Sequence, residues 1–219
     1  KIKLIEDAAE SIGTKYNSGK FKNKHTGTIG DFGVFSLNGN KIITSGNGGL
    51  VISKNKKDSL KINYLISQSK DDKVNFIHNN VGYNYKLSNL SAAVGLAQLE
   101  KLNFFLERKK NKRNYYKKKI EKIKEDKILK SPKYSNNNNW LNLVQMSKKE
   151  KTKKIMKKLN LNGFQSRPIW YPNHLQRTFK KNYSYKIKRA QEYVKSIICL
   201  PSSANLKKKQ MDKIVDLLK

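Results

Sequence analysis

One lysine and one acid lie among small and polar residues where their side chains could react. Lys41 ends the run Phe35–Lys41, Asp7 lies within Glu6–Glu10, and the glycine-rich run Gly46–Gly49 follows Lys41. A lysine amine can form a Schiff base with an aldehyde, and a carboxylate can keep a pyridine nitrogen protonated so that the ring withdraws electrons. Pyridoxal phosphate chemistry requires these two groups, and Lys41 and Asp7 are the candidates for them.

Three short apolar runs predict the strands that position these groups. Ile2–Ile5 is followed by two acids, Gly33–Ser36 is a second apolar run, and Gly49–Ser53 is a third. Side chains that bind ligands gather beyond the carboxyl ends of strands in open α/β sheets, so Asp7 is expected to point into a site. Lys41 is expected in the loop between the second and third strands.

The remaining patterns predict helices and a second group of strands. Residues 56–68 predict a helix, and Ser88 predicts the N-cap of a long helix that becomes lysine-rich through Lys130. We interpret this helix as the arm that joins a larger domain, residues 1–105, to a small α+β domain, residues 106–219. The small domain's expected elements are strands at 140–145, near 164–166 and before Pro201, helices at 149–159, about 185–195 and from 207, and an asparagine loop at 136–139.

Composition indicates a chain with a real core and no covalent cross-link of its own. The 219 residues are 37% hydrophobic, Cys199 is the single cysteine, and no run approaches the roughly 20 apolar residues of a membrane span. These features predict a cytoplasmic protein with no membrane partner. The chain begins at Lys1, and Ile2–Ile5 directly after it predicts a buried strand, so we expect the chain to be cut at its front.

The formal charge of +32 would ordinarily suggest nucleic acid or an anionic surface as a partner. Only five of the 48 basic residues are arginine, however, and base readout and stacking favour arginine with aromatic residues on a defined element. Most of the lysines are therefore expected on solvated helix faces. No specific nucleic-acid partner is predicted, although weak, salt-sensitive binding stays open.

Several runs match a known family in order and spacing. They are Glu6–Ser11, Gly27–Asp31, Ser36–Lys41, Gly82–Leu87, Ala92–Glu100, Arg167–Trp170 and Leu200–Ser203. Over essentially its whole length, the chain resembles the C-terminal part of a sugar aminotransferase of the DegT/StrS family. The resemblance implies an α/β fold of the fold type I pyridoxal phosphate transferases, which are aspartate aminotransferase-like: a partial large domain with a mainly parallel sheet, plus the small domain.

The resemblance also implies roles for the residues of the cofactor site. Lys41 resembles the Schiff-base lysine, which is displaced by the amino donor and then shuttles a proton. Asp7 resembles the acid that pairs with the pyridinium nitrogen, although an acid after a strand can also cap a helix. Glu10 would lie near the ring and its phenolic oxygen. Ser36 resembles the hydroxyl that hydrogen-bonds the cofactor phosphate.

Five further residues are implied in cofactor or substrate contacts. Asn84 resembles the residue that reaches the phosphate of the neighbouring subunit's cofactor, which implies a site shared across a two-fold homodimer; a turn after Gly82 is its competing interpretation. Asn38 replaces a frequent histidine and is expected near the amino donor or the sugar. Arg167, Trp170 and His174 are expected in one loop lining the sugar-nucleotide pocket, although Trp170 and His174 could equally be packing residues.

The family's reaction transfers an amino group, usually from glutamate, to a keto sugar attached to a nucleotide. The runs around Lys41 and Arg167 most resemble the branch that acts on UDP-4-keto-6-deoxy-N-acetylhexosamine in bacterial glycan synthesis. A perosamine-type enzyme on a GDP sugar is the nearest competitor, and a non-catalytic dimerising scaffold stays open. His25 and His78 have no metal-ligand spacing, so no metal site is predicted.

The family's first strands and its first cofactor contacts lie before the point that matches Lys1. Without them, sheet edges and apolar surface are left uncovered. We therefore expect this chain by itself to be poorly stable and nearly inactive.

Overall fold

The structure is a computed structural model that describes residues 2–123 and 126–219. It divides into a first unit, Lys1–Leu106 with Ser131–Asn138, and a second unit, Glu107–Lys130 with Asn139–Lys219. The expected partition placed all of 106–219 in the small domain. Residues 131–138 instead belong to the first unit, because Ser135–Asn136 forms an antiparallel pair with Lys15–Tyr16 there.

The described part of the first unit contains five strands, two complete helices and the start of a third helix. They are β1 Ile5–Asp7, β2 Lys15–Tyr16, β3 Phe32–Ser36, β4 Gly49–Ser53, α1 Lys56–Ile66, α2 Asn89–Glu100, α3 Leu102–Ile120 and, from the later segment, β6 Ser135–Asn136.

The sheet that carries the candidate site has the order β1-β3-β4. β1 is parallel to β3 with Asp7 opposite Val34, and β4 is antiparallel to β3. The expected first strand at 2–5 is shifted, since β1 begins only at Ile5, where its pairing with Phe32 begins. The expectation that Ile2–Ile5 is buried is wrong: Ile2, Leu4 and Ile5 are exposed.

The helix predicted from Ser88 begins as expected and is divided near its middle. The Ser88 hydroxyl accepts a hydrogen bond from the Ser91 N–H at 3.2 Å, which confirms the N-cap. Lys101 separates α2 from α3, and α3 ends at Ile120; of the stretch expected to continue through Lys130, residues 124 and 125 lie outside the described residues. Among the residues of α2, Gly95 alone is buried.

The second unit is an α+β unit built on a four-stranded antiparallel sheet of order β5-β7-β9-β8. Its elements after α3 are β5 Lys127–Ile128, β7 Asn142–Gln145, α4 Lys149–Leu161, β8 Arg167–Pro168, α5 Arg189–Ser196, β9 Ile197–Leu200 and α6 Lys208–Leu218, with two 3₁₀ turns at Asn173–Leu175 and Arg177–Phe179.

One face of this sheet packs against α3, α4 and α6. Alternate strand positions such as Val144 and Ile198 are fully buried and contact Tyr116, Leu159 and Ile214 of the helices in one apolar cluster. Within the described ranges, no helix has both the length and the apolar character needed to cross a membrane.

Candidate functional site

Lys41 is presented by a closed loop between β3 and β4. The Lys41 N–H donates to the Asn38 carbonyl at 3.0 Å and forms a tight turn, and the Ser45 N–H donates to the Leu37 carbonyl at 3.0 Å. The residues directly after the lysine, Ile42 and Ile43, are buried. This anchoring on both sides fixes where the Lys41 side chain leaves the backbone.

The Lys41 ammonium lies against a carboxylate that is 31 residues away in the chain. Its Nζ is 3.3 Å from Oε1 of Glu10, and the Lys41 side chain is only 11% exposed. Since lysine side chains are almost always well exposed, this degree of burial separates Lys41 from the solvated lysines elsewhere in the sequence. Lys41 and Glu10 are thus brought together as one ion pair.

Asp7 and Ser36 lie at the carboxyl ends of the parallel strands β1 and β3. The Ala8 N–H donates to the Val34 carbonyl at 2.9 Å, so the two strand ends stay paired up to the site. One Asp7 oxygen accepts the Ala9 N–H at 3.1 Å in a local turn, and the Ser36 hydroxyl accepts the Asn38 N–H at 3.3 Å. Asp7 is followed by turns rather than by a helix, so it is not a helix cap.

Asn138 supports the segment that carries Glu10, although its sequence context predicts only a loop. Its side-chain amide donates to the carbonyls of Glu10 and Ile12, both at 2.9 Å, and its backbone N–H donates to the Thr14 hydroxyl oxygen at 3.1 Å. Asn138 is buried. A run of asparagines carries no local signal that one of them is buried in this way.

Glu6 is a second residue whose role the sequence did not reveal. Its carboxylate accepts the Gly27 N–H at 2.8 Å and the N–H groups of Ile29 and Gly30 at 2.5 Å each. These bonds hold the loop before β3 against β1. The loop lies so close that a Cβ on Gly33 would stand 1.8 Å from the Gly27 carbonyl oxygen, which explains the glycine there.

Asn38 and Asn84 are both exposed and lie outside the Lys41–Glu10 pair. Asn38 belongs to the Lys41 turn. Asn84 forms an isolated β-bridge with Ser67 rather than a turn, and it lines an open groove of about 360 Å³ with Asn47 and Gly48. Gly48 has φ +81°, and a Cβ there would approach the Leu87 side chain to 2.5 Å, so the groove wall depends on glycine.

Arg167, Trp170 and His174 lie in the second unit, and the expectation of a single loop needs one correction. Arg167 is part of β8 and pairs with Cys199, because β9 offers a free edge there. Trp170 is exposed, and its ring centroid lies 5.8 Å from that of Trp140. His174 is in a 3₁₀ turn, where its Nε2 accepts from the Gln191 amide at 3.1 Å.

His25 forms hydrogen bonds to backbone groups through both of its ring nitrogens. The Gly13 N–H donates to His25 Nε2 at 2.7 Å, so His25 carries its proton on Nδ1, which donates to the Thr26 carbonyl at 2.6 Å. His25 is half-buried and not a simple surface histidine. Across residues 2–123 and 126–219, no group of three or more His, Cys, Asp or Glu side chains has the arrangement of a metal site.

A largely covered lysine paired with a carboxylate, on a sheet that bears an acid and a hydroxyl at the ends of parallel strands, is typical of enzymes that bind an aldehyde cofactor through an amine. The model of the DegT/DnrJ/EryC1/StrS aminotransferase family matches residues 1–219. The chain belongs to this family.

Three curated relatives illustrate the similarity. EpsN of Bacillus subtilis (strain 168) is 34% identical over 99% of this chain and 56% of its own length. GDP-perosamine synthase of Escherichia coli O157:H7 is 32% identical over 95% of this chain and 55% of its own length. UDP-4-amino-4,6-dideoxy-N-acetyl-beta-L-altrosamine transaminase of Campylobacter jejuni (strain 81-176) is 37% identical over 55% of this chain and 31% of its own length. The chain spans about half the length of the relatives that it matches over nearly all its residues.

Solved structures share the fold at low sequence identity. The aminotransferase TlmJ from Streptoalloteichus hindustanus superposes with a TM-score of 0.88 at 19% identity, over 99% of this chain and 57% of that one. Spr1654 from Streptococcus pneumoniae, in its PLP form, superposes with a TM-score of 0.86 at 20% identity, over 100% of this chain and 57% of that one. The expected fold class, a partial fold type I transferase, is confirmed.

The residues present fit pyridoxal phosphate, the cofactor of this family. The cofactor needs an amine for its aldehyde, an anion for its ring nitrogen and neutral donors for its phosphate. Lys41, Asp7 and Ser36 supply these chemical types, and the strand pairing between β1 and β3 places the last two at one edge of the sheet. The Lys41 side chain is only 11% exposed, and its Nζ lies 3.3 Å from Oε1 of Glu10.

Proposed function

We propose that this protein is a pyridoxal phosphate-dependent aminotransferase that moves an amino group from glutamate to a 4-keto-6-deoxy sugar carried on a nucleotide. The observation that carries the proposal is the covered Lys41 ammonium, 3.3 Å from Glu10 at the edge of the sheet that also bears Asp7. An ordinary surface lysine would have neither the burial nor the anchored turn.

The side chains divide the work of binding and proton transfer. Bound pyridoxal phosphate supplies an aldehyde for amines and a ring that withdraws electrons. Lys41 would hold the cofactor through its aldehyde, and the free Lys41 amine would accept and donate a proton during amino transfer. Glu10 holds the Lys41 ammonium in place before the cofactor arrives. Asp7 holds a proton on the ring nitrogen.

We assign the phosphate to two neutral donors from different copies of the chain. Ser36 belongs to the same copy as Lys41, and Asn84 reaches the partner's cofactor across a two-fold axis. The support in this chain is that Asn84 is exposed on an open groove beside the loop that carries Lys41, since Asn47 and Gly48 line the same groove. A homodimer with a shared site follows.

For the substrate we propose a UDP-linked 4-keto-6-deoxy-N-acetylhexosamine, which Arg167, Trp170 and His174 of the second unit contact. The 37% identity to a Campylobacter transaminase named for a UDP sugar supports this choice. A GDP-linked keto sugar is the second candidate, because GDP-perosamine synthase is similar over more of the chain. Arg167 is exposed beside a depression of about 560 Å³ with Asn160 and Gln165, where a guanidinium could meet a phosphate.

The first experiment is the absorption spectrum after addition of pyridoxal phosphate, measured on the whole protein that carries this chain, because the chain spans only about half the length of its relatives. We expect a visible band that requires Lys41 and bleaches with glutamate, and we expect Lys41→Ala to lack it. Lys57→Ala is the matched control and should keep the band, since that lysine is exposed and belongs to α1 rather than to the loop. Loss of the band in both variants, or in neither, would reject the assignment of Lys41.

Two further measurements test the role of Asp7 and the identity of the nucleotide on the substrate. Asp7→Asn should keep the band and slow bleaching by glutamate about 10²- to 10⁴-fold, the range typical of a lost acid–base group. Amino transfer to the UDP sugar should then exceed transfer to the GDP sugar. A chain that dimerises tightly and never takes up the cofactor would instead favour the scaffold alternative.

A further inference from the structure

The second unit carries an exposed basic segment that the proposed chemistry does not use. Every residue from 177 to 189 is exposed. The segment holds no acid and six cations, namely Arg177, Lys180, Lys181, Lys186, Lys188 and Arg189. We call residues 177–189 the basic aromatic segment. Such a density of one charge is far above that of an ordinary solvated loop.

Large apolar side chains alternate with these cations. Tyr183 is 89% exposed and Tyr185 is 63% exposed, and Phe179 and Ile187 are also exposed. A 3₁₀ turn at Arg177–Phe179 begins the segment, and residues 183–188 have no regular structure. Single exposed apolar residues are normal, but four within nine residues between cations form a surface that is suited to an interface.

The surroundings extend the positive field. Residues 151–191 contain no acid, and Glu192 is the first one after them. This stretch includes five exposed lysines of α4, the helix against which α5 packs. The five are Lys151, Lys153, Lys154, Lys157 and Lys158. An anion that approaches the segment therefore meets little competing negative charge from nearby sequence.

We propose that the basic aromatic segment docks the protein onto the surface of a membrane rich in anionic phospholipid. The cations attract headgroup phosphates, and the rings of Phe179, Tyr183 and Tyr185 enter the headgroup region, where amphipathic aromatic side chains are stable. The contact is peripheral and needs no membrane-spanning helix. It adds a surface partner to a chain for which the sequence predicted solvated lysines.

Two other occupants fit the segment less well. In a two-fold contact of two copies through this segment, its six cations would face six cations of the other copy, so repulsion opposes that contact. Single-stranded nucleic acid needs free ring faces for stacking, whereas the Lys186 ammonium lies 5.0 Å from the Tyr185 ring centroid and Ile187 has no ring. Four of the six cations are lysines, which suit a diffuse anionic surface better than base readout.

The test measures cosedimentation of the full chain with vesicles of phosphatidylcholine, with and without about 30 mol% phosphatidylglycerol. Binding should be at least about tenfold tighter to the anionic vesicles and should fall as salt rises from about 0.1 to about 0.5 M. The charge variant neutralises four lysines of the segment: Lys180→Gln, Lys181→Gln, Lys186→Gln and Lys188→Gln. The matched control neutralises four exposed lysines of α4: Lys153→Gln, Lys154→Gln, Lys157→Gln and Lys158→Gln.

We expect the charge variant to lose about tenfold in affinity for anionic vesicles and the control to lose less than about threefold. Both variants remove four positive charges, but only the charge variant removes them from the basic aromatic segment. A third variant, Phe179→Ser with Tyr183→Ser and Tyr185→Ser, should also weaken binding while its melting temperature stays unchanged. Equal losses in the first two variants would overturn the segment's role. No preference for anionic vesicles, or tighter binding to single-stranded RNA at the same salt, would overturn the membrane as the partner.

Discussion

Nζ of Lys41 lies 3.3 Å from Oε1 of Glu10, although the two residues are 31 positions apart and come from different loops of the same sheet edge. The lysine side chain is nearly covered, whereas the Glu10 side chain is 52% exposed. The pair therefore holds the amine in place without sealing it from solvent. The ion pair orients the Lys41 amine more than it stabilises the fold, since exposed ion pairs contribute only about 0–1 kcal/mol to the free energy of unfolding.

Glu10→Gln is expected to weaken cofactor uptake several-fold with little change in the melting temperature. Glutamine keeps the size of the side chain but removes the charge that fixes the Lys41 ammonium. Titration of the visible band with pyridoxal phosphate measures the uptake. Glu100→Gln, an exposed acid on α2, is the control and should behave as wild type. A Glu10→Gln titration that matches wild type would show that the ion pair does not orient the lysine.

Asn138→Ala should destabilise the first unit by about 2–4 kcal/mol. The substitution leaves the buried carbonyls of Glu10 and Ile12 without the amide that donates to both. Chemical denaturation followed by circular dichroism gives the change in the free energy of unfolding. Asn136→Ala is the matched control from the same run, because Asn136 is exposed and pairs through its backbone. Equal effects of the two substitutions would contradict the specific role of Asn138.

Lys109 gives the second unit a stability that rises with pH. Burial, and then the charge of Lys112, lower the pKa of Lys109 from 10.5 to about 8. Between those two pH values the unfolded chain binds more protons than the folded chain, so the free energy of unfolding increases with pH, by up to about 3 kcal/mol. The side chain remains in place by donating to the Trp140 carbonyl at 3.1 Å and the Ser202 hydroxyl at 3.3 Å.

Lys109→Met should flatten that slope, as measured by urea unfolding at several values between pH 8 and pH 10.5. Burial raises the pKa of the Cys199 thiol from 9.0 to about 11, which gives an opposite slope above pH 9. Both proteins should therefore carry Cys199→Ala. An unchanged slope in Lys109→Met would assign the pH dependence to other groups, such as Lys112, whose pKa burial also lowers.

Asn142→Leu should raise the stability of the second unit by about 1–2 kcal/mol. The Asn142 side chain is fully buried on β7, and neither its oxygen nor its nitrogen has a hydrogen-bond partner. Leucine has a similar size and removes the cost of burying an unpaired amide. Differential scanning calorimetry measures the change.

Thr152→Val on α4 is a companion variant, because the buried Thr152 hydroxyl is also without a partner. It should shift the melting temperature in the same direction. Lower stability in both variants would show that ordered water satisfies these groups.

Local patterns in the sequence were sufficient to predict many of the elements and the chemical types at the site. Short apolar runs predicted β3 and β4, and a serine before an apolar run predicted the cap of α2. The motifs around Lys41 and Asp7 predicted an amine and an acid near one sheet edge, which the pairing of β1 with β3 bears out for Asp7. These features depend on residues close together in the chain, where periodicity and caps act.

The sequence by itself determined the family, the order of most elements and the candidate lysine, because each is written in short runs of residue types. Only the tertiary structure decided that Glu10 is the group beside Lys41, that Asn138 supports Glu10 from 128 positions away, and that β1 begins at Ile5 rather than at Ile2. These depend on which distant backbone and side-chain groups meet when the chain closes. A hydrogen bond between residues so far apart leaves no periodic trace in the sequence, since its partners are chosen by the packing of whole elements.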